Sequence, residues 1–318
     1  MAVIAAPSPL GIRHATRLLA VVLGLATLSC MTTRNYLDPE GPGFEGSHAS
    51  SIPPAPVPAP GDPIRVVTFN IRFSIEIDRA AELLSSSADL RGFDILLLQE
   101  MDAPGVERLA RALQLNYVYY PSTVHPQAKR DFGTAVLSPW PLDEPRKLLL
   151  PHAAFGTRAR RAATSATVHR GALRIRAVAV HLPAPGAVHP ENREHQIRVL
   201  LDDVAGISDA VVIGGDFNSR APGPLFTKSG FLWLTDQLPG TSRGLGLWWS
   251  NDHVFTRGLA PAGDGPASGV VDPAGSSDHR AVWVRLVPQN TKEMLTPPSE
   301  GDPTLTCCAA RMAARPAR

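Results

Sequence analysis

Apolar positions fall into short alternating or continuous runs separated by polar and Gly/Pro-rich stretches. Residues 64–72 alternate and are rich in β-branched side chains, which predicts a strand. Residues 78–90 and 106–115 repeat their apolar positions at helical spacing, while 94–98 form a short continuous run expected of a buried strand. Further strands are predicted at 133–137, 163–168, 172–182, 210–214, 253–256 and 281–287. A helix is predicted over 190–207, opened by Pro190 and Glu191. Many strands broken by only a few helices predict an α/β (α+β) domain over 64–288, its sheets largely antiparallel.

The ends of the chain read differently. Arg13 and Arg17 precede an apolar stretch at 18–28, too short to span a bilayer and of the length of a signal-peptide core. The stretch ends in Thr27-Leu28-Ser29-Cys30, which resembles a bacterial lipoprotein signal. We therefore expect residues 1–29 to be a signal peptide and Cys30 to carry lipid, placing an exported, membrane-anchored protein at the periplasmic or outer face. Residues 30–63, with their Pro-rich run at 53–60, are expected to be a tether, and 289–318 an unstructured tail. Cys307 and Cys308 lie in that tail, so no cysteine is left between Cys30 and Cys307. This excludes a disulfide scaffold or a cysteine-ligated metal centre in the domain.

Charge narrows the partners. The chain carries 31 Lys+Arg against 29 Asp+Glu, and the two arginines of the signal segment account for the whole surplus. The mature chain has no basic excess of the kind that drives broad phosphate neutralisation.

Polar residues recur where apolar strands stop: Asn70 in Val-Val-Thr-Phe-Asn, Glu100 in Leu-Leu-Leu-Gln-Glu, and His181 in Val-Ala-Val-His. Asp216 and Asn218 follow in Gly-Gly-Asp-Phe-Asn, Asp252 in Asn-Asp-His-Val-Phe, and Asp278 with His279 in Ser-Ser-Asp-His-Arg. A polar group at a buried strand end is either paired or functional, because burying it alone costs a few kcal/mol. Carboxylate and amide oxygens suit Mg²⁺ or Mn²⁺, and histidines beside carboxylates suit proton transfer. Taken singly, each has a plain structural reading as a turn former or a satisfied strand end.

In order and wording these motifs resemble the endonuclease/exonuclease/phosphatase (DNase I-like) superfamily across nearly all of 64–287. The resemblance implies a four-layer sandwich of two packed β-sheets flanked by helices, with the site at one end. It implies metal binding by Asn70 and Glu100, with Asp278 holding metal directly or through water. Asp216 would orient or deprotonate the attacking water, with Asn218 beside it on the phosphate. His279, oriented by Asp252, would stabilise the phosphorus centre or protonate the leaving group, and His181 would contact phosphate. Arg193 and Gln196 match a helix motif read as structural support, and the off-motif His195 and His253 are also read as structural. Asn251 departs from the apolar residue usual at its position.

The expected activity is that of a Mg²⁺- or Mn²⁺-dependent phosphoester hydrolase, foremost an extracytoplasmic phosphodiesterase acting on nucleic acid and working as a monomer. The alternatives are a phospholipid or sphingomyelin-type phosphodiesterase and a non-catalytic binding module on the same fold. Trp248 and Trp249 are read as a core or loop anchor, with a lipid- or base-stacking platform as the alternative. Arg158, Arg160 and Arg161 form either a solvated face or a phosphate clamp. Residues 121–133, with His125, Lys129, Arg130 and Asp131, match no specificity signature.

Overall fold

A computed structural model describes residues 33–49, 58–59, 61–244, 246–263 and 265–289. The predicted signal peptide, Cys30 and all but the first residue of the expected tail lie outside these residues. The first half of the domain contains β1 (Phe44–Ser47), β2 (Ile64–Asn70), α1 (Ile77–Ser86), β3 (Ile95–Met101), α2 (Ala103–Leu113), β4 (Asn116–Val124) and β5 (Asp131–Ser138). Next come β6 (Leu142–Leu149), β7 (Ala162–Arg170), β8 (Leu173–His181), α3 (Pro190–Val204), β9 (Ala210–Asp216) and α4 (Gly223–Lys228). The last group is β10 (Leu232–Trp233), β11 (Ser242–Gly244), β12 (Leu247–Trp249), β13 (Asp252–Arg257), β14 (Leu259–Pro261), β15 (Ser268–Val271) and β16 (Ala281–Pro288).

One eight-stranded sheet runs β1-β4-β5-β3-β2-β16-β14, with β15 also on β16, and a six-stranded sheet runs β10-β13-β9-β8-β7-β6. All pairs are antiparallel except β2–β3 and β8–β9. The period of two along each strand sorts side chains to opposite faces. Leu96 and Leu98 therefore pack under Ala80 and Leu84 of α1 and Leu109 of α2, whereas Leu97 faces the other sheet. Between the sheets, Val66, Ile95, Leu97 and Val136 meet Ala166, Ile175, Ala177 and Val212. Val178, Val180 and Ile213 face outward onto Ile197 and Leu200 of α3. The result is a helix–sheet–sheet–helix sandwich, as the family resemblance implies.

Helix α1 is shorter than the apolar spacing predicts. It stops at Ser86 because three consecutive serines favour backbone-bonded turns over helix, and Ser87 is extended. The tether expected over 30–63 needs a larger correction. Phe44–Ser47 pairs with Asn116–Tyr119 at the edge of the first sheet. Upstream, Lys147 Nζ donates to the carbonyls of Asp38 (3.0 Å) and Gly41 (2.9 Å). Residues 33–48 thus form a strap bound to both sheets. Every strand, helix and apolar cluster among the described residues falls within 33–289, so the chain from residue 31 contains all of them.

Trp248 and Trp249 are not a core anchor. They sit in the hairpin β11–β12 and are 37% and 50% exposed.

Candidate active site

The polar residues singled out above converge at one end of the sandwich, and the pairing registers show how. In the second sheet His181 pairs with Asp216, and Asp216 with Asp252, so three strands align their functional ends. In the first sheet Asn70 pairs with Gln99, and a bulge between Gln99 and Met101 turns Glu100 out of the ladder. Glu100 takes φ 61°, a left-handed conformation that a non-glycine residue holds only against a steric cost. His279 lies just before β16, the neighbour of β2.

The Asn70 amide nitrogen donates to Asp216 Oδ2 at 3.1 Å and to Glu100 Oε1 at 3.3 Å, joining carboxylates from opposite sheets. Its Oδ1 is buried without a partner among the described residues. His279 Nδ1 lies 2.9 Å from Asp252 Oδ2, while its Nε2 is 3.8 Å from Asp216 Oδ2. His181 Nε2 lies 3.4 Å from the same Asp216 oxygen. Asp252 receives its own support from Thr241 Oγ1, which accepts the Asp252 N–H at 3.0 Å.

Burial pushes the Asp216 carboxyl above its ordinary range, partly offset by the neighbouring His279. Burial also raises Glu100, against the pull of His279 and the Asn70 hydrogen bond. For His279, burial alone would lower the imidazole, but Asp252 and Asp216 outweigh it and raise its pKa, keeping the ring protonated near neutrality. His181 is held neutral, first by burial and then by Arg161 and His279.

Two expected residues are placed differently. Asp278 is 44% exposed at the rim, with Arg72 Nε 3.7 Å away, rather than among the buried donors. Asn218 spends its side-chain N–H on the Leu182 carbonyl at 2.9 Å, and its backbone N–H donates to Asp216 Oδ1 at 2.8 Å. Its work here is to position Asp216. Arg193 and Gln196 tie loops together, Arg193 on the carbonyls of Phe217 (2.9 Å) and Pro183 (2.5 Å), Gln196 on that of Pro151 (2.7 Å). His195 is exposed and 2.9 Å from His152, and His253 is fully buried, both away from the cluster.

The structure also separates the three arginines. Arg160 bonds the Leu150 carbonyl and Arg158 is exposed, while Arg161 reaches toward the cluster. Its guanidinium lies 4.8 Å above the Phe132 ring, close enough to Glu100 and Asp216 to be attracted by both. Phe132 in turn packs 5.4 Å from His181, bringing part of the 121–133 segment to the site.

Asp216, Asp252 and His279 also bring ligand atoms within 4.8 Å of one another. The His279–Asp252 hydrogen bond already occupies that imidazole nitrogen, so this trio suits proton handling better than metal ligation. The hard oxygen donors are Glu100 and the orphaned Asn70 Oδ1, and these fit a divalent cation such as Mg²⁺ or Mn²⁺.

A sandwich with carboxylates, an amide and a charged imidazole gathered at its strand ends defines a phosphoesterase-type scaffold. A sequence model of the Endonuclease/Exonuclease/phosphatase family matches residues 67–279, and the chain belongs to that family. An endonuclease/exonuclease/phosphatase from Beutenbergia cavernae is similar at 21% identity and TM-score 0.56, with 72% of each chain covered. One from Bacteroides vulgatus is similar at 16% identity and TM-score 0.57, covering 72% of this chain and 100% of that one. D. rerio TDP2, complexed with single strand DNA product, is similar at 16% identity and TM-score 0.54, covering 70% and 98%. These likenesses establish the fold. No curated protein matches the chain.

Proposed function

We propose that the protein is a divalent-metal-dependent phosphodiesterase, exported and anchored to a membrane through Cys30. The observation that carries the reading is the Asn70 amide bridging Glu100 and Asp216, its own oxygen orphaned, beside the His279–Asp252 pair. Family membership supports hydrolysis of a phosphoester, and the apolar run at 18–28 ending in Cys30 supports export.

Glu100 and Asn70 Oδ1 would hold the cation. When bound, it neutralises phosphate charge and makes water more acidic. Asp216, oriented by Asn70 and Asn218, takes the proton of the attacking water; its raised pKa makes it a stronger base than an ordinary aspartate. His279, fixed by Asp252 and protonated, faces the developing negative charge and delivers a proton to the departing oxygen. Arg161 forms no ion pair among the described residues and adds a positive charge for the phosphoryl group. His181 contributes a neutral hydrogen-bonding ring.

The test is hydrolysis of bis(p-nitrophenyl) phosphate, plasmid DNA and sphingomyelin by the chain from residue 31, with Mg²⁺, Mn²⁺ or EDTA. Metal-dependent turnover should fall about 10²- to 10⁴-fold in Asp216→Asn. Equal rates in that variant, or turnover indifferent to EDTA, would overturn the assignment.

A further inference from the structure

Among the described residues, eight large apolar side chains are exposed. Five of them, Ile75, Phe155, Leu247, Trp248 and Trp249, belong to segments bordering the mouth of the site. Ile75 follows the turn Arg72–Ser74, whose Arg72 faces Asp278. Phe155 precedes Arg161 in the same loop. Leu247, Trp248 and Trp249 are β12, and the hairpin they form is sewn to the catalytic segment: Ser242 bridges to His279, and the Arg243 N–H donates to the Asp278 carbonyl at 3.0 Å.

Positive charge lies among these residues. Arg158, Arg243 and Arg280 form no ion pair among the described residues, and Arg280 stacks 3.8 Å from the Trp248 ring. Cross-strand register puts Trp248 opposite Arg243, while Leu247 and Trp249 point together to the other face of the hairpin. Leu247 and Trp249 are 60% and 50% exposed among the described residues.

The strap supplies an independent observation. The Thr33 N–H donates to the Thr157 carbonyl at 3.0 Å, and the Asn35 side chain bonds the Arg158 carbonyl and the Arg160 N–H. The chain therefore enters the domain at the loop carrying Phe155, Arg158 and Arg161. Cys30 is three residues upstream of Thr33 and can lie no more than about 10 Å away along the chain.

We propose that this rim is a docking surface for an anionic phospholipid bilayer, seated through Leu247 and Trp249 of the hairpin with the arginines at headgroup level. Exposed apolar and aromatic side chains beside unpaired arginines are what an anionic interface retains. A short lead from Cys30 would hold the mouth against that interface instead of at the end of a long tether. The phosphoester presented to Asp216 and His279 is then that of a lipid headgroup, an extension that rests on the hydrolase reading.

The experiment mixes the unlipidated chain from residue 31 with phosphatidylcholine vesicles, with and without phosphatidylglycerol. Co-sedimentation and tryptophan emission report binding. Binding should require phosphatidylglycerol and shift emission to the blue. Leu247→Gln with Trp249→Gln should weaken it about tenfold or more, and Arg243→Glu about fivefold. Both variants should keep the parent's thermal midpoint and its turnover of bis(p-nitrophenyl) phosphate. No vesicle binding, or equal binding by parent and variants, would overturn the surface. So would tryptophan quenching by single-stranded DNA in place of vesicle binding, or a concentration-dependent dimer abolished by the double variant. Vesicle binding without turnover of any phosphoester would keep the surface and sink the hydrolase reading alone.

Discussion

At the scale of single residues, His253 shows how burial rather than chemistry can set a titration. It adjoins Asp252 in sequence but packs between the Trp233 and Phe217 rings, accepting from Trp233 Nε1 at 3.3 Å while its own Nε2 has no partner among the described residues. Burial lowers its pKa from 6.5 to about 4. Between those values the unfolded chain binds a proton that the folded chain refuses. Its contribution to stability is therefore complete above 6.5 and is lost as pH falls toward 4, by up to about 3 kcal/mol. Urea unfolding across that pH window should show this slope in the parent and a flatter one in His253→Phe. An unchanged slope in the variant would show that other groups carry it. Asn70, Glu100, Asp216, Asp252 and His279 were legible in the sequence because polar residues ending apolar strands are conspicuous. Arg161 was not, because three neighbouring arginines look alike until packing sets one over the Phe132 ring.

At the scale of elements, the parallel pair β8–β9 aligns His181 with Asp216, and the pair depends on Gly215. This residue takes φ 150°, and a Cβ there would collide with the Val180 carbonyl of the adjoining strand. Gly215→Ala should therefore cost about 3 kcal/mol or more by separating the strands, and should reduce activity beyond the loss of folded protein. Denaturant midpoints and turnover per folded molecule check both parts; wild-type values for either would refute that part. The central strands β2, β3, β7, β8 and β9 were visible because they are continuously apolar or cleanly alternating. Strands β4 and β6 were hidden, the first by Pro121 and the second by the run Asp143-Glu144-Pro145-Arg146-Lys147, which an edge strand tolerates. Strand β1 read as tether because it lies in a stretch leading into the Pro-rich run at 53–60, yet Gly46 is what lets the strap lie against the Tyr117 ring.

At the scale of the molecule, the site is a meeting of two sheets whose carboxylates repel one another, so a bound cation should stabilise the fold. Mg²⁺ or Mn²⁺ at about 100 times its Kd should add about 2.7 kcal/mol, read as a rise in thermal midpoint that EDTA reverses. Glu100→Gln should lose most of that rise. A midpoint indifferent to both ions would count against Glu100 and Asn70 as the donors. The mixed α/β, largely antiparallel class was legible from the order of elements and the sandwich from the resemblance of the motifs, whereas the start of the domain was not, because the strap is held by edge pairing and by Lys147 rather than by an apolar pattern.

The pairing of β16 with β2, Val282 against Thr68, joins the last strand of the domain to one of its earliest. Asn70 and His279 stand more than 200 residues apart in the order of synthesis, and they become neighbours only when this seam closes. The candidate site is therefore complete only once β16 has paired with β2. A chain cut before His279 lacks part of the cluster, so closure of this one seam is what brings its two halves together.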